Sequence, residues 1–155
     1  MPALLLVVFV NFVGIGALIP VLPYTVIEML GLSATVMTLL LASFAFAMFL
    51  SNPLLGRLSD HLGRRPILIF SLLINVLAHI WFAVSTDILQ MFAARVLAGL
   101  AAGNTGVIQA MIADRAKAQD RARYMGLFGA AIGTGFVAGP ALGGLVKRPW
   151  RWPAS

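Results

Sequence analysis

Apolar residues run in five long blocks along this chain, separated by four short stretches in which the charges collect. The blocks lie near 3–24, 34–56, 67–86, 88–113 and 124–146. Each is long enough for a helix to cross a hydrocarbon core, which takes about 20 residues. Four of them hold no charged residue, and the block 88–113 holds only Arg95. Inside lipid there is no water to satisfy backbone N–H and C=O groups, so such blocks must bond within themselves as helices. Pro20, Pro23, Pro53 and Pro140 lie inside or at the ends of blocks and imply kinks or helix ends. The pattern predicts an all-α integral membrane protein of about five transmembrane helices.

Composition narrows the reading further. The chain is 61% hydrophobic and 10% charged, with mean hydropathy +0.98. A soluble domain carries about 25% charged residues, so this chain lacks the charge to cover a water-facing surface. Membrane lipid is therefore its first expected partner. The net charge of +6 would hint at nucleic acid in a soluble chain. Here the basic residues cluster between apolar blocks, which reads as membrane topology, and no nucleic-acid partner is expected. Cysteine is absent, which excludes disulfides and thiolate metal sites and leaves the redox compartment open. The first block has no basic flank and stays uncharged up to Glu28, so it reads as a first span and not as a signal peptide.

The charges also orient the spans. Segment 57–65 holds Arg57, Arg64 and Arg65, and segment 114–123 holds Arg115, Lys117, Arg121 and Arg123. The connections near Glu28 and Asp87 hold no basic residue. Lys and Arg accumulate on the cytoplasmic side, so 57–65 and 114–123 are expected there, with the N-terminus also cytoplasmic. The basic tail 147–155, with Lys147, Arg148 and Arg151, breaks the alternation. It reads either as a truncated, frame-shifted or otherwise non-native end, or as an interfacial tail with Trp150 and Trp152 among lipid headgroups.

Enzyme chemistry finds no footing. There is no metal-ligand cluster and no nucleophile–His–acid arrangement, so no metal and no cofactor are expected. The Gly-rich strings lie within apolar blocks and none continues into Lys-Ser or Lys-Thr, as a phosphate loop would.

Three strings carry more specific information. The connection Gly56-Arg57-Leu58-Ser59-Asp60-His61-Leu62-Gly63-Arg64-Arg65-Pro66 combines turn glycines with a carboxylate and two guanidinium groups. The fourth block carries Arg95-Val96-Leu97-Ala98-Gly99 with Gly103. The fifth carries Gly133-Thr134-Gly135-Phe136-Val137-Ala138-Gly139-Pro140-Ala141-Leu142-Gly143-Gly144. Gly135, Gly139 and Gly143 recur every four residues and share one helix face, where small residues let backbones approach closely. Gly129 and Gly133 form another such pair.

The first string resembles the loop signature of the major facilitator superfamily. The others follow in that family's order, together with Gly14-Ile15-Gly16 and Pro20-Val21-Leu22-Pro23 in the first block and Asp120-Arg121-Ala122-Arg123 after the fourth. The fifth-block string looks like the antiporter signature of the drug:proton antiporter branch, similar to tetracycline-type multidrug efflux proteins. The resemblance covers 5–146, less than half of a twelve-helix transporter. It implies that 1–146 is part of an N-terminal six-helix bundle. It implies a secondary active transporter, not an enzyme, that exports a small hydrophobic or amphipathic drug-like compound in exchange for protons by alternating access. Its partners would be that substrate, protons and a second half, and its place a bacterial inner membrane, with antibiotic resistance as the outcome. By the same resemblance, Gly56, Asp60, Gly63, Arg64, Arg65 and Asp114 form a cytoplasmic gating network. Gly135, Gly139, Pro140, Gly143 and Gly144 form the antiporter motif.

Polar residues within spans are the candidates for a substrate and proton pathway: Arg95, Asn11, His79, Asn75, Asn104 and Gln109. A charge in a span costs about 2.5–3.5 kcal/mol on insertion scales, so Arg95 is expected to face a cavity or a partner. It lies eight residues past Asp87, about 12 Å inward along a helix. Snorkelling to the outer surface is the alternative. His79 lies eight residues before Asp87, at a similar depth, with Asn75 one turn away. It could carry a proton, or stay neutral and hydrogen-bonded between helices. Asn11, Asn104, Thr105 and Gln109 either line a cavity or bond between helices, and Asn52 is expected to satisfy carbonyls freed by Pro53. Tetracycline-type pumps carry acidic residues in helices one and three. Here Asn11 and Ala78 stand near those positions, which argues against tetracycline as the substrate. Two other readings stay open: a non-transporting membrane partner that associates through Gly-rich helix faces, and another major facilitator symporter or uniporter.

Overall fold

A computed structural model describes residues 2–146, so both readings of the tail 147–155 lie outside the described residues. The described residues are all-helical, with no strand among them. Helix α1 runs Pro2–Pro23 with Pro20 inside it, and a π-helical segment continues it through Tyr24–Met29. Gly31 follows in a left-handed conformation (φ +64°) that only glycine adopts at no steric cost. Helix α2 spans Ala34–Leu62 with Pro53 inside, and α3 spans Arg64–Val84. The fourth span is divided into α4, Ile88–Ala102, and α5, Thr105–Arg115. A short 3₁₀ turn, Ala118–Asp120, leads into α6, Arg121–Val146, with Pro140 inside.

Among the described residues, five helical stretches are therefore long and apolar enough to cross a membrane: Pro2–Ile27, Ala34–Leu62, Arg64–Val84, Ile88–Arg115 and Ala118–Gly144. Their side chains are sorted for lipid. On α3 the residues turned inward are Ser71, Asn75 and Ala78, while Phe70, Leu73, Val76 and Leu77 face outward. Elsewhere Phe49 is 73% exposed and Val137 78% exposed. Apolar surface on this scale is unfavourable in water and neutral against acyl chains.

Two expectations need correcting. The connection read at 57–65 is helical through Leu62, and Gly63 alone breaks the chain between α2 and α3. Its φ of +95° lies where L side chains are strained. Arg57, Asp60 and His61 are exposed and compatible with a water-facing helical end, so nothing stops α2 before the glycine. The fourth span, read as one helix, is interrupted at Gly103 and Asn104, where two low-propensity residues meet a bonding partner from another helix.

The helices group into two compact units. Among the described residues, one joins 2–37 with 117–146 and holds α1 and α6; the other is Thr38–Ala116. In the first, α6 lays its glycines on α1. A Cβ at Gly139 would fall 2.6 Å from Gly16 Cα, one at Gly135 2.9 Å from Phe9 O, and one at Gly143 against Ala17 O. Phe12 and Phe136 complete the seam, with ring centroids 5.3 Å apart. In the second unit, a Cβ at Gly99 would strike Phe44 O, so α4 meets α2 backbone to backbone.

Candidate functional site

Within Thr38–Ala116, the same face of α3 presents Asn75, Ala78, His79 and Phe82, at helical spacings of three and four. Arg95 on α4 meets that face. Its Cζ lies 4.7 Å from the centroid of the Phe82 ring and 5.4 Å from that of Phe44 on α2. Arg95 is only 2% exposed, so the guanidinium does not snorkel to the surface of this structure. The ring faces offset part of its charge, an effect worth about 2 kcal/mol when desolvated. They accept no ordinary hydrogen bond, and the buried Arg95 Nε has no hydrogen-bond partner among the described residues.

His79 is half-buried. Its Nδ1 lies 2.8 Å from the Asn75 carbonyl oxygen. A carbonyl can only accept, so Nδ1–H donates, and in the neutral ring Nε2 is left as an acceptor. Nε2 too is buried without a hydrogen-bond partner among the described residues. The structure thus brings Arg95, His79 and Asn75 together on the α3–α4 wall.

Each of the other pathway candidates has its own surroundings. Asn104 is fully buried and donates through Nδ2 to Ser71 Oγ at 3.0 Å, a bond between helices. Gln109 is exposed on α5. Asn11 is buried on α1, in the other unit. Thr105 bonds to the Ala102 carbonyl in its own span.

The interruption between α4 and α5 is stitched to α2. Ser51 Oγ donates to the Leu100 carbonyl, and Asn52 Oδ1 accepts the Gly106 N–H at 3.1 Å. Asn52 was expected to serve carbonyls freed by Pro53; it serves instead a backbone donor freed by the break in a neighbouring helix. Sequence reasoning missed Ser51, Ser71, Phe44 and Phe82 altogether. Apolar rings in apolar spans carry no signal of their own, although Phe82 sits one turn beyond His79 on the same face.

At the water-facing end of this unit, the three charges of the expected network meet. Arg64 Nη2 lies 3.3 Å from Asp60 Oδ1, and Nη1 lies 2.7 Å from Asp114 Oδ2. One guanidinium thus links the end of α2, the start of α3 and the end of α5. Both carboxylates are exposed, so the cluster adds little stability, in the range of about 0–1 kcal/mol per pair. Gly63 provides the turn that places Arg64, whereas Gly56 is open, with nothing near an added Cβ. No ion pair to Arg65 is seen among the described residues. In the antiporter string, Gly135, Gly139 and Gly143 press on α1, and Pro140 lies beside Gly16. Gly129, Gly133 and Gly144 line no close contact.

Comparison with known proteins decides the family. The description Major Facilitator Superfamily matches residues 4–155. The chain belongs to the major facilitator superfamily. That family is one of membrane transporters. It is 38% identical over 145 residues to the tetracycline resistance protein of class H from Pasteurella multocida, covering 92% of this chain and 36% of that protein. It is 36% identical over 140 residues to multidrug resistance protein 2 of Bacillus subtilis, covering 90% of this chain and 35% of the relative. The quinolone resistance protein NorA of Staphylococcus aureus is 34% identical over 142 residues, covering 91% of this chain and 36% of NorA. The chain therefore spans little more than a third of the length of these relatives. Among major facilitator proteins, its similarity lies with drug efflux and antibiotic resistance transporters.

Proposed function

We propose that this chain supplies most of the N-terminal half of a proton-coupled exporter of small hydrophobic or amphipathic compounds. The exporter sits in a bacterial inner membrane with its N-terminus in the cytoplasm. The half carries no complete pathway by itself and acts with a second half, the two rocking about a site at mid-membrane depth. The observation that carries the reading is Arg95: the one charged residue in any of the five apolar blocks is buried between aromatic rings with Nε unbonded. A lipid-exposed helix gains nothing from such a group, and intramembrane charges mark substrate or ion paths. Arg95, His79 and Asn75 form the core of the pathway, with Asn11 and Gln109 as further candidates and Asn104 holding α3 to the start of α5. Asp60, Arg64 and Asp114 form the cytoplasmic latch, aided by Gly56, Gly63 and Arg65. Their weak, exposed pairing suits a contact that must open in each cycle. Gly135, Gly139, Pro140 and Gly143 keep α1 and α6 close where exchange is gated, with Gly144 completing the string.

The names of the relatives point to tetracyclines, quinolones and broader drug sets as candidate compounds. The absence of an acidic residue from the five apolar blocks favours compounds other than tetracycline. Association with a partner through the Gly135–Gly139–Gly143 face is disfavoured, because α1 already occupies that face.

The test is proton release in everted membrane vesicles from cells expressing the gene in its full coding context. With the lumen acidified, adding an exported compound should relieve the quenching of a pH-sensing acridine dye, and a protonophore should abolish the effect. A panel of ethidium, norfloxacin and tetracycline that leaves the dye signal unchanged throughout overturns the proposal.

A further inference from the structure

The break between α4 and α5 is built from hydrogen bonds that have an alternative. Gly103 (φ −61°, ψ −2°) and Asn104 (φ −67°, ψ −9°) stay right-handed, but ψ lies far from the α-helical value of about −42°. The chain here is over-wound: the Asn104 N–H reaches back three residues, to Ala101 O at 3.3 Å. That tightening frees the groups an α-helix would pair. The Leu100 carbonyl, the usual acceptor for Asn104, accepts from Ser51 Oγ on α2. The Gly106 N–H, whose usual acceptor is Ala102, goes to Asn52 Oδ1 at 3.1 Å, and the Ala102 carbonyl accepts from Thr105 Oγ1 at 3.0 Å. Two missing side chains make room for the stitches. A Cβ at Gly103 would lie 2.7 Å from Ser51 Oγ, and one at Gly106 2.7 Å from Asn52 Oδ1.

The same groups can pair another way. In an unbroken helix the Asn104 N–H returns to Leu100 O and the Gly106 N–H to Ala102 O, one bond gained for each stitch released. The released α2 side chains have acceptors on their own helix. Pro53 has no N–H, so the Phe49 carbonyl lacks its usual donor, and Asn52 stands three residues beyond Phe49. Ser51 stands four residues beyond Ala47, the spacing at which a hydroxyl bonds back to a carbonyl. Both arrangements satisfy the polar groups, as lipid requires. They differ in rotation. A 3₁₀ turn advances about 120° per residue and an α-helix about 100°. Rewinding two residues thus turns α5 by about 40°, which carries a side chain at a radius of about 5 Å through roughly 3.5 Å. Asp114 lies in the last turn of α5, with Oδ2 2.7 Å from Arg64 Nη1. A displacement of that size parts the pair.

We propose that the Gly103–Asn104 break is a winding switch, in which the fourth span passes between this form, stitched to Ser51 and Asn52, and a continuous helix, and that rewinding opens the Arg64–Asp114 pair. This rests on the proposed role of that pair as a latch, and it goes further by naming the element that moves it.

The experiment is NMR on the chain in lipid nanodiscs, with ¹³C at asparagine carbonyls and ¹⁵N at threonine. Asn104–Thr105 is the one Asn–Thr pair in the sequence, so a carbonyl–amide correlation gives a single signal, placed at the break. In Asn52→Ala the stitch from Ser51 to Leu100 still holds the tight turn, so the signal should stay near its place while amide exchange after Gly103 rises. Adding Ser51→Ala removes both stitches. The signal should then move downfield, to the helical side, and exchange of the Thr105 amide should fall at least threefold below that of Asn52→Ala. Adding Arg64→Gln to Asn52→Ala should move the signal the same way, by a population change of up to about fivefold, the most an exposed ion pair supports. Arg64→Gln touches only exposed ion pairs, so this arm stands even if the double variant of α2 does not fold. An upfield shift with still faster exchange in Ser51→Ala/Asn52→Ala, as additive fraying would give, overturns the proposal. So does a signal that neither second substitution moves, or that Arg64→Gln alone fails to move. Ethidium exchange by everted vesicles reads the latch separately. An Arg64→Gln exporter that turns over at the unaltered rate sinks the latch and leaves the switch standing, whereas a signal that does not move sinks the switch and leaves the latch.

Discussion

A single buried guanidinium sets the residue-scale expectations. Replacing a buried charge by an apolar side chain of similar volume is often neutral or stabilising, by about 1–4 kcal/mol. Arg95→Met should therefore keep or raise the thermal midpoint of the protein in detergent while abolishing drug–proton exchange. A large fall in the midpoint would show that Arg95 serves the fold. Gly99 gives the opposite case. An added Cβ would strike the Phe44 carbonyl and approach Ala47 Cβ to 2.9 Å, and backbone cannot yield as a flexible side chain can. Gly99→Ala should cost about 1–3 kcal/mol, the scale of overpacking a tight contact, read as a lower midpoint. Gly129→Ala, with nothing near its Cβ, should leave the midpoint unchanged. At this scale the sequence singles out Arg95, His79 and the charge trio because an ionisable group in or beside an apolar block is conspicuous. It did not reveal the aromatic contacts or the Asn52 bond. The Gly106 partner of Asn52 is 54 positions away, and no local rule links them.

At the scale of elements, five apolar blocks became five spans because lipid forces length and internal bonding on them together. The breaks were harder to read. Gly103 and Asn104 are tolerated inside many helices, and the interruption there depends on Ser51 and Asn52 reaching across from α2. Charge marks water and does not mark the end of a helix, so α2 runs past Arg57 and Asp60 to Leu62. Asn52→Ala should leave the Gly106 N–H without its partner at a cost of about 1–3 kcal/mol, the usual penalty for an unsatisfied buried donor. Hydrogen exchange should show the effect first at the amides following Gly103. Exchange that rises uniformly across all helices, or not at all, would contradict the stitch between α2 and the start of α5. Arg64→Gln removes both ion pairs but should shift stability by no more than about 1 kcal/mol, because the carboxylates are exposed. Its effect should appear instead in exchange turnover.

For the whole molecule, the governing claim is that lipid is the solvent of these helices and that the arginine-bearing ends share one side of it. The inverted sorting of α3 and the bare apolar faces of α2 and α6 support the first part. The charge alternation predicts the second. The chain has no native cysteine, so single cysteines report side directly. The decisive measurement is labelling of Ser33→Cys, His61→Cys, Thr86→Cys and Ala118→Cys with a membrane-impermeant maleimide, in intact cells and in everted vesicles. Positions 33 and 86 should react only in intact cells, and positions 61 and 118 only in everted vesicles. Labelling of all four from the same side, or equally in both preparations, would contradict the account.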